Sequence, residues 1–528
     1  MNRFWMYLKL HPTLFFLVIL GGTILYTWLI CMIFPIRYDD NDDITSAWIL
    51  SGVYSGTPDC HVLFMNAIYG QLVAGLYCLF SNVEWYTILF IFILCMASAV
   101  LVFVNCRKIN STWLLTCFIF GIYTLLFYNL VCLQFTKVAA MTAFAGIVLL
   151  CDRNFFWGGV LLLIGSMIRF EAAGLVGLLM VPALFYSYRL DWRRGWLPLC
   201  IILGIVIGLR WADTKYYQQP EWATFYACNQ YRGRINDNPN VWRVRQNLPP
   251  SVSQINYDCI IAFALDPEQA TLERFKSLDD KFSHIPILKK MKNIYLFFLP
   301  TYWQWIIVLF LIGIVIAWGR SKKNVCLLLL YFIFWLSILA MVSLNSTVKF
   351  RVFVASLLPT LYYLSLCLKS EKMTNRKLII APILLLCMLL WGLIGPAVNQ
   401  IQRAPEHDAI MQEQLQLFTQ RNNRLVLTNG ADLRVEYFDA FHLQDAIPSH
   451  SFINPYCFAG SPLSPEFMSY RDFIDGQLCL FSAKPWNVDL RLKSLKENYG
   501  IDAEGVALSE SEHYALIILV PKVADKKL

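Results

Sequence analysis

The chain has 528 residues, of which 57% are hydrophobic and only 15% are charged, with a formal net charge of +8. A soluble globular chain averages about 25% charged residues, so this composition excludes an ordinary soluble protein. The positive charge does not indicate a nucleic-acid partner, because Lys and Arg lie in short clusters between apolar runs, as membrane topology requires.

Long apolar runs recur up to about residue 399 and predict a mainly α, polytopic transmembrane protein with about 11 spans. The first run, 12–36, is too long for a signal-peptide core and should stay as an anchor. The other predicted spans are 85–105, 112–130, 132–151, 155–168, 172–187, 196–211, 293–318, 325–343, 350–368 and 378–399. We expect the short span 155–168 and its partner to form a broken pair around Arg169 and Glu171.

The distribution of basic residues sets the predicted orientation. Arg3 and Lys9 precede the first span, so the N-terminus should be cytoplasmic and the loop 37–84 outside. Residues 61–80 could span by length, but counting them as a span would place most later Arg and Lys clusters outside. We therefore predict that 44–80 forms amphipathic helices along the outer membrane face.

With this orientation, a large loop at 212–292 and the C-terminal residues 400–528 both face outward, beside the membrane domain 1–399. A helix at 405–420 and strands at 424–428 and 513–521 predict a small α/β extracytoplasmic domain. In an oxidising compartment, the cysteine pairs Cys228–Cys259 and Cys457–Cys479 could form disulfides.

Four aspartates crowd the start of the first outer loop: Asp39, Asp40, Asp42 and Asp43. Carboxylates packed together where a chain leaves the bilayer are costly, and they are useful for proton transfer or cation binding. The alternative is an acidic loop that is simply solvated.

Further polar residues fall on the same predicted side. They are His61, Lys137, Arg169, Glu171, Lys349 and Arg351. Cations from separate span ends around a carboxylate loop suggest a pocket for an anionic substrate embedded in the membrane. The alternatives are that Lys137 snorkels to head groups, that Arg169 pairs only with Glu171, and that His61 merely packs or starts a helix. Lys349 and Arg351 could likewise lie where lipid phosphates attract any cation.

Polyprenyl-phosphate sugars fit such a pocket, because their phosphate lies at head-group level. Sugar transfer needs a base to take a proton from the acceptor and positive charge to stabilise the departing phosphate. The segment 215–240 in the large loop is rich in aromatic and amide side chains, which suits either sugar contact or an interfacial belt. Arg232 is a candidate substrate contact there.

The acidic pair Asp39-Asp40 after span one, the amphipathic region 44–80 and the outer C-terminal domain together resemble the GT-C superfamily of membrane glycosyltransferases. The resemblance implies an inverting transferase of the bacterial cytoplasmic membrane with Asp39 or Asp40 as general base. It implies a polyprenyl-phosphate-sugar donor and a glycan, lipid or protein acceptor. The family often places Arg or Lys from later outer loops on the donor phosphate, and Arg169, Lys349, Arg351 and Lys137 are candidates for this role by position only. Asp42, Asp43, His61, Glu171 and Arg232 are candidate substrate contacts.

The aspartates with His61 would suit Mg²⁺ or Mn²⁺. No metal is predicted, because members of the superfamily that take monophosphate-linked donors commonly work without one. Two other functions stay open from the sequence: a flippase or transporter for lipid-linked glycans, and a glycan polymerase or ligase that uses a diphosphate-linked donor.

Overall fold

The structure is a computed structural model. It describes residues 10–189, 191–262, 264, 266–319, 322–368, 380–428, 433–434, 437–447, 451–453, 460–465, 467, 469–474, 478–484 and 488–522. The helices up to residue 402 are α1 Pro12–Ile33, α2 Asn41–Ser51, α3 Ala67–Leu79, α4 Trp85–Lys108, α5 Thr112–Val131, α6 Phe135–Cys151, α7 Phe155–Ile168, α8 Phe170–Tyr188, α9 Leu197–Tyr216, α10 Pro220–Asn236, α11 Val241–Arg245, α12 Gln254–Ile261, α13 Leu272–Ser283, α14 Ile287–Asn293, α15 Leu299–Gly319, α16 Lys322–Asn345, α17 Phe350–Leu368, α18 Ile380–Leu389 and α19 Gly395–Gln402. A two-residue strand β1, Arg37–Tyr38, follows α1, and β2, Cys132–Leu133, follows α5.

Within the described residues, eight helices are long and apolar enough to cross a membrane. The shorter apolar helices α6, α7 and α17 coincide with three more of the predicted spans. The predicted polytopic helical class is therefore confirmed. Part of the last predicted span and the basic segments around 320 and 369–377 lie outside the described residues.

The loop between α1 and α4 contains two short helices, α2 and α3. The longer, α3, has 13 residues and is about 20 Å long, whereas the hydrocarbon core is about 30 Å thick. Helix α7, which coincides with a predicted span, has a similar length of 14 residues, so the non-spanning placement of 44–80 stays a prediction.

Glycines set the geometry of the α6–α7 pair. A Cβ added to Gly146 would lie 2.7 Å from the Leu162 nitrogen, and one on Gly165 would lie 2.8 Å from the Ala139 carbonyl oxygen. Small residues let membrane helices approach closely where lipid supplies no hydrophobic driving force. This antiparallel packing brings the end of α7 beside the start of α6.

Charged side chains gather at the two ends of this bundle. At one end, Lys108 pairs with Asp152, and Arg153 Nη1 lies 2.8 Å from Asp191 Oδ2. The acidic loop lies at the other end, beside the start of α6. These two groups of charged side chains therefore lie at opposite ends of the bundle.

The C-terminal residues form a mixed sheet flanked by helices, as the two predicted strands required. Its elements are α20 Ala404–Thr419, β3 Leu425–Thr428, α21 Leu443–Ala446, β4 Phe452–Ile453, β5 Leu478–Ala483, α22 Asp489–Tyr499, β6 Ala503–Glu510 and β7 Tyr514–Pro521. The strand order is β4-β3-β5-β7-β6, with β3 parallel to both its neighbours and β7 antiparallel to both of its own.

The predicted disulfide Cys228–Cys259 is wrong, because both thiols are free and buried. The Sγ of Cys228 lies 3.4 Å from the Ala270 carbonyl oxygen, and that of Cys259 lies 3.9 Å from the Leu490 carbonyl oxygen. Each thiol therefore packs against a different segment. Cys457 lies outside the described residues, so the second predicted pair does too.

Candidate functional site

The strand pair β1–β2 positions the first aspartate. The strands are parallel, with Arg37 opposite Cys132 and Tyr38 opposite Leu133. The Asp39 backbone N–H continues the ladder to the Leu133 carbonyl oxygen at 2.9 Å. Because the carboxyl ends of parallel strands meet at one edge, Asp39 emerges beside the first turn of α6.

Lys137 in that turn holds the Asp39 carboxylate. Its Nζ lies 3.0 Å from Asp39 Oδ2 and 4.2 Å from the centre of the Tyr128 ring. The Lys137 side chain is 1% exposed, whereas that of Asp39 is 38% exposed. Among the described residues, no hydrogen bond reaches the other oxygen, Oδ1, which remains available to a ligand. Lys137 does not snorkel, and its burial favours holding Asp39 over contacting a phosphate.

Arg351 bridges two other aspartates. Its Nη1 forms an ion pair with Asp40 Oδ2, and its Nη2 lies 3.9 Å from Asp42 Oδ2. Asp40 is the residue just before α2, so its side chain projects from the start of that helix. The predicted meeting of a cation from the region around 350 with the acidic loop is thus present.

Asp42 lies in a group of cations from three other segments. Burial raises the pKa of the Asp42 carboxyl above its ordinary value. The positive charges of Lys349, Arg169 and Arg232 oppose this rise, so all three lie within electrostatic range of Asp42. Lys349 Nζ also lies 3.1 Å from Asp237 Oδ1 at the end of α10.

Asp43 has a different environment. Its side chain is fully buried, and its Oδ1 accepts hydrogen bonds from the Phe135 N–H at 2.9 Å and the Tyr86 hydroxyl at 3.0 Å. Burial raises the pKa of this carboxyl well above its ordinary value, outweighing both hydrogen bonds. Asp43 joins α2 to the start of α6, a placement that does not fit the predicted substrate contact.

The break between α7 and α8 falls at Arg169, as predicted. Arg169 has extended backbone, and its Nε lies 3.0 Å from Glu171 Oε2. Its guanidinium lies over the Phe64 and Phe135 rings, at 5.2 and 5.3 Å from their centres. The internal pairing considered as an alternative therefore exists, and Arg169 still lies in range of Asp42.

The sequence analysis missed a second cation beside Glu171. Arg210 Nη2 lies 3.4 Å from Glu171 Oε1, and its Nη1 lies 2.8 Å from Asp213 Oδ2. Asp213 in turn accepts the Ala67 N–H at 2.9 Å, at the start of α3. The signal was an Arg near the end of an apolar run, followed three residues later by Asp.

His61 is held away from the four aspartates by its own neighbours. Its Nδ1 lies 2.7 Å from Asp59 Oδ1, and its ring stacks on Trp222 at 4.2 Å between centres. In the described chain, the metal-capable atoms near His61 belong to Asp59 and Cys60, within 4.8 Å of one another. The metal set of His61 with the loop aspartates, considered from the sequence, is not formed there.

The C-terminal domain contacts the segment around β1, the strand that Asp39 follows. The sequence analysis did not anticipate this contact. Arg37 Nη2 lies 2.7 Å from Asp408 Oδ1, and the Ala440 N–H donates to the Ile36 carbonyl oxygen at 3.0 Å. The Trp48 indole N–H donates to the Leu443 carbonyl oxygen at 3.0 Å. The tail therefore supports the acidic loop directly.

No family model matches the chain, and no curated protein matches it. Among solved structures, the chain is similar to the apo crystal structure of ArnT from Cupriavidus metallidurans. The two share 11% sequence identity with a TM-score of 0.42, over 96% of this chain and 98% of that chain. At this level the likeness carries no argument about activity.

Proposed function

We propose that this protein is a GT-C-type membrane glycosyltransferase. It moves a sugar, with inversion, from a polyprenyl-phosphate donor to a glycan, lipid or protein acceptor on the extracytoplasmic face. The observation that carries the proposal is an acidic loop whose carboxylates meet cations from four distant segments at one end of a bundle of membrane helices. Such a site can take a proton from a hydroxyl and stabilise a departing phosphate.

Asp39 is the proposed general base. One of its oxygens is held by Lys137, and the other is open to an acceptor hydroxyl. Asp40 pairs with Arg351 and its side chain is less exposed than that of Asp39, 23% against 38%, so Asp39 is the more accessible of the two to an acceptor. Lys137 is a positioning residue, because its buried ammonium holds one oxygen of the Asp39 carboxylate and so orients it.

Lys349, Arg169, Arg232 and Arg351 are the proposed phosphate contacts. In this structure Arg351 forms an ion pair with Asp40, and Lys349 forms one with Asp237. An arriving phosphate would compete with those carboxylates for the same cations, and this exchange would free Asp40 and Asp237. Glu171, Asp42 and His61 remain candidate substrate contacts, with less support than these cations.

The proposal needs no metal. Arg351 lies within ion-pair distance of both Asp40 and Asp42, which are two of the carboxylates that a dication would use. We expect transfer to continue in excess EDTA. Loss of activity on chelation, with recovery on addition of Mg²⁺ or Mn²⁺, would contradict this part of the proposal.

We place the protein in the bacterial cytoplasmic membrane with its N-terminus inside and its C-terminal domain outside. The support is the separation of the acidic end of the bundle from the end that carries Lys108 and Arg153. A glycan flippase would instead need charged groups along a path through the bundle.

The decisive experiment is sugar transfer in proteoliposomes from a labelled polyprenyl-phosphate sugar to a lipid-extract acceptor. We compare Asp39→Asn with Asp191→Asn, a matched change at the opposite end of the bundle. The proposal expects transfer to be lost only in the first variant. Full transfer by Asp39→Asn would remove the proposed base. Transfer only from diphosphate-linked glycans would indicate a polymerase or ligase.

A further inference from the structure

The helix that enters the membrane after the large outer loop is longer than a bilayer requires. The apolar stretch Ile287–Val315 has 29 residues and is about 43 Å long, against about 30 Å of hydrocarbon. Helix α15 alone has 21 residues, about 32 Å, and is long enough to span. Helix α14 therefore projects beyond the hydrocarbon into the head-group layer.

The surface of α14 combines large apolar side chains with lysines. Leu288 is 75% exposed and Met291 is 51% exposed. Lys289 and Lys292, between and beside them, are also exposed. Among the described residues, neither lysine has a carboxylate within ion-pair distance. Exposed apolar groups interleaved with uncompensated cations are typical of a helix that lies at a membrane surface.

The short helix α11 extends this surface. Trp242 is 50% exposed, and the Arg243 guanidinium lies 4.7 Å from the centre of its ring. Arg243 Nη1 also donates to the Lys289 carbonyl oxygen at 3.4 Å, which joins the two helices. Tryptophan is enriched at the membrane–water interface. We call the set Trp242, Arg243, Leu288, Lys289, Met291 and Lys292 the interfacial patch.

The interfacial patch is connected to the candidate site. Lys290 Nζ lies 2.9 Å from Asn345 Oδ1, and Asn293 Nδ2 donates to the Leu344 carbonyl oxygen at 3.4 Å. The following segment reaches α10, since the Thr347 N–H donates to the Asp237 carbonyl oxygen at 2.9 Å. Helix α14 therefore braces the segment that presents Lys349.

We propose that the interfacial patch is a binding site for anionic phospholipid head groups of the surrounding bilayer. Among the described residues, Lys289 and Lys292 both lack a carboxylate partner, and this favours an anionic phosphate over a zwitterionic head group. The exposed apolar side chains enter the acyl region beside them. Bound lipid thus holds α14, and through it the segment 344–349, at the level of the site.

The test measures lipid binding by the full-length purified protein, without any transfer assay. Native mass spectrometry compares phosphatidylglycerol with phosphatidylcholine for the wild type and for the double variant Lys289→Gln/Lys292→Gln. The control is Lys493→Gln/Lys496→Gln, which removes the same charge from α22. Lys289→Arg/Lys292→Arg restores the charge at the patch.

We expect the wild type and the control to prefer phosphatidylglycerol. The patch variant should bind it about 30-fold more weakly, and the arginine variant should recover. Equal binding of the two lipids by the wild type, or an unchanged preference in the patch variant, would overturn the proposal. So would a patch that selects only polyprenyl phosphate, because the anion would then be substrate. Since no turnover is measured, this result is independent of the transferase proposal.

Discussion

The two ends of the helix bundle use the same charged residue types in different ways. At one end, Lys108–Asp152 and Arg153–Asp191 are pairs with one partner each, and both members of the second pair are about a third or more exposed. At the other end, Lys137 is buried under Asp39, and Arg351 is shared by Asp40 and Asp42. Exposed ion pairs with a single partner contribute little to the free energy of unfolding. Buried or shared ion pairs cost desolvation free energy, but they fix the positions of their charged groups. The second arrangement is the one we expect at a functional site.

The largest expected difference between the ends is in catalysis. Asp39→Asn should lower kcat for sugar transfer by about 10²- to 10⁴-fold, because it removes the proposed general base. Asp191→Asn should leave kcat nearly unchanged. Steady-state transfer in proteoliposomes measures both. A similar loss in the two variants would mean that the ends do not differ in function.

The next effect concerns the shared cation. Arg351→Gln should lower kcat/KM by about 10²- to 10³-fold, because it removes a proposed phosphate contact that would strengthen as charge develops. Arg153→Gln, at the opposite end, is the matched control and should change kcat/KM by less than about threefold. Equal effects of the two substitutions would show that Arg351 acts only through the stability of the fold.

A smaller loss is expected for Lys137. Lys137→Gln keeps a hydrogen-bond donor near Asp39 and removes the charge, so kcat should fall by about 10- to 100-fold while the donor KM stays close to the wild-type value. A rise in donor KM with unchanged kcat would instead identify Lys137 as a phosphate contact. Correct folding is checked by the thermal unfolding midpoint of each variant in detergent.

Substitutions of Asp43 test whether this residue of the acidic loop stabilises the fold. Asp43→Ala leaves the Phe135 N–H and the Tyr86 hydroxyl without their acceptor and should cost about 1–3 kcal/mol for each group. Asp43→Asn keeps an oxygen at the same place and should cost under about 1 kcal/mol. Thermal unfolding midpoints compare the two. Equal losses would indicate that the carboxylate charge, rather than the acceptor, is required.

The smallest effect is a pH dependence of stability. The pKa of Asp43 is raised on folding, so the folded state holds this proton more tightly than the unfolded chain. Its contribution is therefore fully present below the unfolded pKa of about 3.8 and decreases as pH rises towards the folded pKa. The wild type should lose stability relative to Asp43→Asn across that window. A constant difference between them would contradict the raised pKa of Asp43.

The spans, the break at Arg169 and the strands of the tail could be predicted, because each follows from local hydrophobic period or from a polar residue that interrupts it. The grouping of Arg351 and Lys349 with the acidic loop followed from counting basic loops. The disulfide prediction failed because cysteine spacing carries no information about which segment each thiol packs against. Arg210 was missed because the Asp three residues later indicates only one of its partners, and nothing local to Arg210 indicates the other, Glu171.

The residue order alone determined that this is a membrane protein with an acid-rich loop at one end, since composition and periodicity decide how each segment partitions between lipid and water. It could not distinguish the surroundings of the four aspartates, which are chemically identical and nearly adjacent. The tertiary structure gives them different surroundings through the register of β1 and β2, which brings Asp39 to Lys137, and through the burial of Asp43 against α6. The reason is physical: what distinguishes one carboxylate from another is the charge, the donors and the solvent within a few ångströms, and distant parts of the chain supply these only when it folds.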